Sequence, residues 1–137
     1  MENFVEPLTL RHAPPSAEIY NALRSAVGWP AIDPAITAPA LADSRYAVTL
    51  MAGDQPVGCG RVIGDGIYYY IQDVIVIPDY QGRGCGAQIV DALMAWLQQN
   101  APGRFIGLMA AAGKSRFYEK YGFEAHDADR PGMSRRA

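Results

Sequence analysis

The sequence predicts a mixed α/β domain whose sheet combines antiparallel and parallel strand pairs. Residues 46–52, 56–63 and 67–77 are three apolar segments joined by two short glycine turns, which is typical of an antiparallel meander. A helical stripe at 87–99 and a further apolar segment at 105–111 follow. A strand, a helix and another strand in that order predict a parallel crossover.

The N-terminal part of the chain predicts one strand and two helices. Residues 4–10 alternate between apolar and polar side chains, as a half-buried strand does. Ser16 is of a type that caps helices, and apolar residues at intervals of four predict a helix from there to Val27. Residues 33–41 predict a short second helix that contains prolines, so tertiary contacts rather than propensity must shape it.

After the meander, the sequence predicts helices that alternate with strands. The helix over 87–99 has a stripe of apolar side chains on one face. Residues 105–111 predict a strand, and the next helix ends at Tyr121 with Gly122 as its C-terminal cap. A short last strand is expected near Met133.

Length and composition indicate one domain that acts on small molecules. The 137 residues suit a single core, so residues 1–137 are assigned to one domain. Twelve basic residues nearly balance fourteen acidic ones, which argues against a nucleic-acid surface or strong attraction to a membrane. Because the sequence has neither an 18-residue apolar run nor a segment of signal-peptide type, a cytoplasmic location is expected.

The cysteines and histidines do not indicate a disulfide framework or a metal site. Cys59 and Cys85 are too few for the first and lack the spacing of ligands for the second. His12 and His126 stand alone and are expected on the surface or in loops. We therefore expect two reduced thiols and no bound metal.

The most informative segment is the glycine-rich turn within VIVIPDYQGRGCGA, residues 74–87. Glycine at 82, 84 and 86 removes the Cβ atoms that would keep a phosphate at a distance, and permits positive φ. Backbone amides at a helix start, with the positive end of the helix dipole behind them, bind anions. The turn therefore predicts a ligand that carries a pyrophosphate.

Two patterns fit these glycines. GRGCGA matches GxGxxA, the dinucleotide fingerprint, which needs a strand directly before the glycines and an acidic residue about twenty positions later. Residues 78–81 separate the strand from the glycines, and the next strand contains no acid, so both requirements fail. The same residues, read from Gln81, match QxxGxG.

The QxxGxG pattern, preceded by VxVxP, resembles the coenzyme A pyrophosphate loop of the GNAT acetyltransferase superfamily. SRFYEKYGF at 115–123 is similar to the FYxxxGF signature of that family. The resemblance implies a GNAT-like acyl-CoA N-acyltransferase fold, with a central mixed, mainly antiparallel sheet and helices on both faces. It also implies direct transfer of an acetyl group from acetyl-CoA, as co-substrate, to a primary amine of a small molecule.

The resemblance also assigns the reacting end of the coenzyme. It implies that the main chain of Val74 meets the thioester oxygen and that of Val76 meets the pantetheine arm, with Ile75 between them. Tyr118 follows Phe117 in the FYxxxGF pattern, so it is the expected general acid for the coenzyme sulfur.

The phosphate end is assigned to the loop and to one lysine. Many relatives have an asparagine at the position of Ala111, and Lys114 is a candidate to contact a coenzyme phosphate in its place. The expected loop contacts are Gln81, Gly82, Arg83, Gly84, Cys85, Gly86 and Ala87.

The sequence leaves the general base open. Alternation places the even-numbered residues 70–76 on one face of the strand and Asp73 on the other. Asp73 is a candidate base, because QDVIV resembles the EDVVV-like stretch of glucosamine phosphate acetyltransferases, but an ion pair with Arg61 is an equal alternative. A third alternative is deprotonation through water held by Tyr70 and Gln72, or an amine that arrives neutral.

The acceptor pocket is expected at the strand ends and the N-terminal helices. Aromatic side chains suit such a pocket, although they equally build cores. The expected substrate contacts are Trp29, Tyr46, Tyr70 and Gln72. The tail at 126–137 is a candidate to border the pocket or a subunit interface, so a homodimer is one expected assembly.

Two other functions fit parts of the sequence. A sensor or partner module that binds acyl-CoA without catalysis would explain why positions 70 and 72 lack the glutamate or histidine that family members often carry. A dinucleotide-binding protein would explain the GxGxxA spelling. The acceptor itself is not identified by the sequence.

Overall fold

The computed structural model describes residues 6–137, which form a five-stranded sheet in the order β1-β2-β3-β4-β5. The strands are β1 (Leu8–Arg11), β2 (Tyr46–Ala52), β3 (Gln55–Gly64), β4 (Tyr68–Val76) and β5 (Phe105–Gly107). The first four pair antiparallel to their neighbours, whereas β5 pairs parallel to β4. The predicted mixed, mainly antiparallel sheet is confirmed.

Helices cover both faces of this sheet, as predicted. They are α1 (Ala17–Ala26), α2 (Pro34–Ala42), α3 (Cys85–Asn100) and α4 (Ser115–Glu119), with a 3₁₀ turn at Pro78–Tyr80. On one face, α3 buries Ile89, Leu93 and Leu97 in the main core against β2, β3 and β4. On the other face, Leu23 of α1 packs against Cys59 and Ile75.

Local capping explains where the first two helices begin. The Ser16 hydroxyl accepts a hydrogen bond from the Ile19 amide at 3.2 Å, so the predicted N-cap is confirmed. The Asp33 carboxylate accepts from the Ala35 amide at 2.9 Å, and a proline occupies the first turn of α2. These contacts supply partners for amides that the first helical turn leaves unpaired.

Several predicted boundaries change in the structure. β1 begins at Leu8 rather than residue 4, and residues 4 and 5 of that prediction lie outside the described residues. β5 ends at Gly107 instead of residue 111, because the chain then leaves the edge of β4. α3 begins two residues before the predicted start, since the left-handed Gly84 lets the helix follow the turn directly.

The predicted last strand near Met133 is wrong. Within residues 124–137 the structure has no strand, and the Met133 side chain is 90% exposed. This segment has no apolar alternation to bury against the sheet, and it contains a proline and a glycine at 131 and 132.

A β-bulge in β4 changes which side chains share a face. Register pairs join Cys59 to Ile75 and Arg61 to Gln72, so one residue of β3 lies opposite two residues of β4. Asp73, in the bulge, has a φ of +56° and is the single non-glycine residue with positive φ among the described residues.

The bulge makes one sequence prediction wrong. Val74 packs with the α3 core, together with Ile71, whereas Gln72 lies opposite Arg61 on the α1 face. The even-numbered residues 70–76 therefore do not share one face. A strict period of two holds only where the ladder is regular, and an aspartate gives little warning that it will adopt a left-handed conformation.

Gly58 lets α3 approach the sheet closely, so Gly58→Ala should destabilise the fold. An added Cβ would lie 2.7 Å from the Ile75 carbonyl oxygen and 3.0 Å from Cδ1 of Ile89. We expect a loss of roughly 1–3 kcal/mol in the free energy of unfolding, measured by denaturant titration. Gly132→Ala is the control, because its Cβ would meet nothing within 4 Å. Equal stability of the two variants would contradict this account.

Candidate active site

Strand β4 and the edge strand β5 diverge and leave a gap at one end of the sheet. β5 pairs with β4 at three positions, and the last pair joins Tyr70 to Gly107. β4 continues to Val76, so its second half has no strand partner on that side. Backbone groups on an unpaired strand edge are available to a ligand or to water.

A cleft of about 550 Å³ lies beside this free edge. Val74, Ile75 and Val76 line one wall, and the predicted acid Tyr118 lines the cleft as well. The glycine turn contributes Gln81, Gly82, Gly84, Cys85, Gly86 and Ala87. The structure therefore brings into one cleft most of the residues that the two sequence motifs singled out.

The glycine turn has the geometry of an anion site. Gly82 and Gly84 have φ values of +76° and +80°, and a Cβ on either would meet nothing within 4 Å. The first intrahelical bond of α3 runs from the Gln88 amide to the Gly84 carbonyl at 3.1 Å, so the amides of residues 85–87 precede it. These amides lie at the positive end of the helix dipole.

Gly86 acts differently from the other two glycines. It lies inside α3 and is not among the residues with positive φ. A Cβ there would lie 3.6 Å from Cζ of Phe117, which is ordinary van der Waals contact, so this position adjoins the Phe117 ring without requiring a glycine. The expectation that all three glycines support the turn conformation is therefore corrected for Gly86.

The polar side chains of the turn are held by local contacts. Gln81 Nε2 donates to the Val76 carbonyl at 2.9 Å, which joins the turn to the end of β4. The Arg83 guanidinium lies 4.8 Å from the centre of the Tyr80 ring. The 3₁₀ turn between β4 and the glycines separates this loop from the dinucleotide fingerprint, in which the strand leads directly into the glycines.

Tyr118 is positioned by packing within the α4 region. Its ring contacts Phe117 edge-to-face at a centroid distance of 5.0 Å and Phe123 at 6.2 Å. Burial raises the pKa of the Tyr118 hydroxyl above its ordinary value of 10.0. The hydroxyl therefore remains protonated at neutral pH, as a proton donor requires.

Tyr121 has a structural contact with α3. Its hydroxyl donates to Asp91 Oδ1 at 2.7 Å and so attaches the end of α4 to that helix. Burial, followed by the hydrogen bond to Asp91, raises the pKa of Tyr121 to about 12. This contact joins the turn that follows α4 to α3, outside the cleft lining.

Two lysines line the cleft near α4. Lys114 was a candidate for a coenzyme phosphate, and the structure places it in the lining, at the N-cap of α4. Lys120, which neither sequence motif singles out, also lines the cleft and lies 4.7 Å from the centre of the Phe117 ring. Lys120 follows Phe117 by three residues, and side chains at that spacing lie on one side of a helical turn. This spacing is the feature of the sequence from which Lys120 could have been identified. Arg83 is exposed on the loop.

Asp73 forms ion pairs and does not line the cleft. Its Oδ2 lies 2.8 Å from Arg61 Nε, and its Oδ1 lies 3.8 Å from Arg24 Nη1. All three side chains are less than one-fifth exposed, since their relative exposures are between 13% and 17%. The ion-pair alternative for Asp73 is thus what the geometry supports, and Arg24 is an additional partner that the sequence did not suggest.

The expected acceptor contacts fall in three different places. Trp29 lines the cleft and is 37% exposed. Tyr70 and Gln72 lie on the α1 face of β4, outside the cleft lining. Tyr46 lies outside the cleft lining, where it stacks on Trp96 of α3 with a centroid distance of 5.7 Å and lies opposite the buried core residue Val62. The α3 core, rather than an acceptor pocket, holds Tyr46.

The family follows from sequence comparison. Residues 43–125 match the family model described as an acetyltransferase (GNAT) domain. This range contains β2 to β5, α3 and α4, and hence both motifs that line the cleft. The chain belongs to the GNAT acetyltransferase family.

Known proteins agree with this membership. A protein named histone acetyltransferase TAP1, from Glycine max, is 32% identical over 124 residues, which cover 82% of this chain and 53% of that protein. The chain thus spans about half the length of this relative.

Solved structures share the whole fold. A Staphylococcus aureus protein of unknown function, described as a probable acetyltransferase, has a TM-score of 0.88 at 28% identity, over 96% of this chain and 100% of that one. A GNAT family acetyltransferase from Streptococcus pneumoniae has a TM-score of 0.79 at 27% identity, over 96% and 98% of the two chains.

Two features are absent from the described residues. Among residues 6–137, no helix combines the length and the apolar character needed to cross a membrane. In the same part of the chain, no three His, Cys, Asp or Glu residues are grouped as metal ligands would be.

Cys59 should make the fold sensitive to alkaline pH. Burial, and then the Asp73 carboxylate, raise the pKa of this thiol from its ordinary value of 9.0 to about 12. The stability that its neutral form contributes is complete below pH 9 and is lost as pH rises towards 12, because the unfolded thiol ionises first.

We therefore expect the melting temperature of the wild type to fall more steeply than that of Cys59→Ala above pH 9, the ordinary thiol pKa. The additional fall should be on the order of 5 °C across this range. Scanning calorimetry between neutral pH and that range measures both proteins, and parallel curves would contradict the assignment.

Proposed function

We propose that this chain transfers an acetyl group from acetyl-CoA to a primary amine of a small molecule. The observation that carries the proposal is that one cleft contains the free edge of β4, the amides at the start of α3, and Tyr118. These are the groups that a diphosphate, an extended thioester arm and a departing thiolate would each require.

The diphosphate fits the glycine turn. The amides of residues 85–87 supply donors at a helix N-terminus, and the open space beside Gly82 and Gly84 allows oxygen atoms to approach the backbone. Lys114 and Lys120 add positive charge along the same cleft. The turn therefore binds a diphosphate mainly through main-chain donors, and the lysines strengthen the attraction.

The thioester arm fits the free edge of β4. An extended amide-containing chain pairs with an unpaired strand by main-chain hydrogen bonds, as a further strand would. Val74 and Val76 lie on the part of β4 that β5 leaves free. Gln81 already donates to the Val76 carbonyl, so this carbonyl has one hydrogen-bond partner before the arm binds.

In the proposed reaction the amine nitrogen forms a bond to the thioester carbon, and the carbon–sulfur bond breaks. The Val74 amide donates to the oxygen on which negative charge develops. Tyr118 gives its proton to the departing sulfur, the acetylated nitrogen loses one proton to solvent, and the Tyr118 phenolate takes one proton back from solvent, so atoms and charges balance and the acid is restored.

The amine must reach this site without its extra proton. No Asp, Glu or His is among the described residues that line the cleft, and Asp73 is paired with two guanidinium groups. We propose that the amine arrives neutral or loses its proton to water. A sensor that binds acyl-CoA without turnover is the second candidate function, and the same lack of a carboxylate in the cleft favours it.

Tyr118→Phe should separate catalysis from binding. Loss of the hydroxyl removes the proton donor, so we expect kcat to fall about 100-fold with little change in coenzyme A affinity. Thiol release during acetylation of an amine panel measures kcat, and calorimetric titration measures the affinity for coenzyme A.

The control for that variant is Tyr121→Phe. It removes the hydrogen bond to Asp91, which costs about 1 kcal/mol of stability, but it changes no group that lines the cleft. Its kcat should stay near that of the wild type. If both variants kept full activity, Tyr118 would not be the acid, and if the wild type bound coenzyme A but released no thiol with any amine, the sensor would be favoured.

The rate should rise with pH on the alkaline side of neutrality. Because no acidic or histidine side chain among the described residues of the cleft lining accepts its proton, the ammonium loses that proton only near its own pKa in the site. The pKa of Tyr118 is raised above 10.0, so the acid remains protonated while the amine becomes reactive. Initial rates between pH 6 and 10 at saturating amine test this. A flat profile, or a maximum below pH 7, would contradict it.

The glycine turn can be tested by binding alone. Gly84→Ala places a Cβ beside the helix amides, and Gly103→Ala introduces the same backbone strain, at a φ of +73°, outside the cleft lining. Both should lose about 1 kcal/mol of stability. Coenzyme A should raise the melting temperature of the wild type and Gly103→Ala more than that of Gly84→Ala. Stabilisation by NADH and not by coenzyme A would instead support a dinucleotide site.

A further inference from the structure

We propose that Asp73 is a positioning residue that joins the acceptor side of the cleft to the Val74 amide. This inference rests on the proposed acetyl transfer. It assigns a structural cause to the direction in which β4 presents its main chain, and it gives Arg24 a part in holding the loop at 28–32, which we call the acceptor loop.

Asp73 adopts a left-handed backbone conformation. Its φ of +56° belongs to a region that costs free energy for residues other than glycine, and the register of β3 against β4 shifts beside it. The main-chain amide of Val74 follows this residue directly. Whatever holds Asp73 in its left-handed conformation therefore also sets the orientation of the Val74 amide.

Two residues of β3 form hydrogen bonds with Asp73. Arg61 Nε donates to Asp73 Oδ2 at 2.8 Å, and Cys59 Sγ donates to the Asp73 carbonyl at 3.4 Å. Arg61 Nη1 also contacts the Ala40 carbonyl at 3.4 Å and the Ser44 hydroxyl at 3.3 Å. The carboxylate is thus tied to β3, and through Arg61 to the end of α2.

Arg24 connects Asp73 to the acceptor loop. Its Nη1 lies 3.8 Å from Asp73 Oδ1, and its Nε donates to the Pro30 carbonyl at 2.8 Å. The same guanidinium lies 5.5 Å from the centre of the Trp29 ring. One side chain therefore contacts the carboxylate in the β4 bulge and the acceptor loop at the same time.

A second clamp acts on the acceptor loop independently of Asp73. Asn21 accepts from the Ile32 amide at 3.0 Å and donates to the Ile32 carbonyl at 2.8 Å. Because this clamp remains when Asp73 is changed, the loop should not unfold in such variants. Its Trp29 end should instead shift relative to β4, and Trp29 lines the same cleft as Val74.

The groups that face the carboxylate distinguish positioning from base catalysis. Two guanidinium groups lie against it, and the Tyr20 hydroxyl accepts from the same Arg24 nitrogen at 3.2 Å. Both carboxylate oxygens therefore already have guanidinium partners, which favours positioning over base catalysis. Removing its charge should disturb geometry first, and the dependence of rate on pH should keep its shape.

Three substitutions of Asp73 test this. Asparagine keeps an oxygen for Arg61 and tolerates positive φ, glycine keeps only the conformation, and alanine keeps neither. We expect kcat to fall within about threefold for Asp73→Asn, about tenfold for Asp73→Gly and about 100-fold for Asp73→Ala. All three should keep the pH–rate profile of the wild type, and Asp73→Ala should raise the KM of the amine more than that of acetyl-CoA.

A spectroscopic readout does not depend on turnover. In a Trp96→Phe background, Trp29 is the single tryptophan of the sequence. We expect its emission maximum to shift in Asp73→Ala and in Arg24→Ala, whereas Glu18→Gln, an exposed change on the same helix as Arg24, should leave it unchanged. Circular dichroism checks that each variant is folded.

The outcomes decide the two proposals separately. If Asp73→Asn were as inactive as Asp73→Ala and lost the ionisation that controls the acidic side of the pH profile, Asp73 would be the base and the inference would be wrong. If the Trp29 emission maximum were the same in Asp73→Ala and Arg24→Ala as in the Trp96→Phe parent, the inference would also be overturned. If coenzyme A bound but no amine were acetylated by the wild type, the acetyl transfer proposal would fail while the Trp29 spectra still tested the link.

Discussion

The structure depends on β4, which pairs with its two neighbouring strands over very different lengths. β4 pairs with β3 along its length, apart from the bulge, but with β5 at only three positions. Backbone amides and carbonyls in the unpaired half must find other partners, because leaving them buried and unpaired costs free energy. The same divergence therefore opens the cleft and provides the hydrogen-bonding edge that a thioester arm would occupy. The Gln81 contact with the Val76 carbonyl shows one such group already satisfied from within the chain.

The core and the cleft are held by the same helix. α3 buries Ile89, Leu93 and Leu97 completely against the sheet, so its axis is fixed by packing over several turns. Its first turn carries the amides at the glycine loop. An anion site on a helix end is only as well placed as the helix, and a helix locked by its buried face loses little further entropy when a ligand binds. Gly58 on β3 contributes to this site at a distance, because its lack of a side chain leaves room for Ile89.

The sequence predicted the parts of the fold that are determined locally. Ser16 identified the start of α1, the glycine turn placed the start of α3 within two residues, and the FYxxxGF pattern identified a tyrosine that the structure places in the cleft. The parts that failed depend on contacts between distant residues. The bulge at Asp73 is fixed by Arg61 on another strand, and Tyr46 is placed by Trp96 fifty residues away. Neither partner can be read from the local pattern, and an aromatic residue looks the same in a core as in a pocket.

Charge around the bulge is consistent with how the proposed reaction obtains a neutral amine. Asp73 is paired with both Arg24 and Arg61, so this cluster, which Arg24 connects to the acceptor loop, carries more positive than negative charge. Positive charge nearby disfavours an ammonium ion and lowers its pKa. The cluster does not need to accept a proton to assist the reaction, because shifting the amine towards its neutral form has the same effect on nucleophile concentration. A carboxylate that positions the backbone and two guanidinium groups that favour the neutral amine would then replace a dedicated base, at the cost of burying three ionised groups.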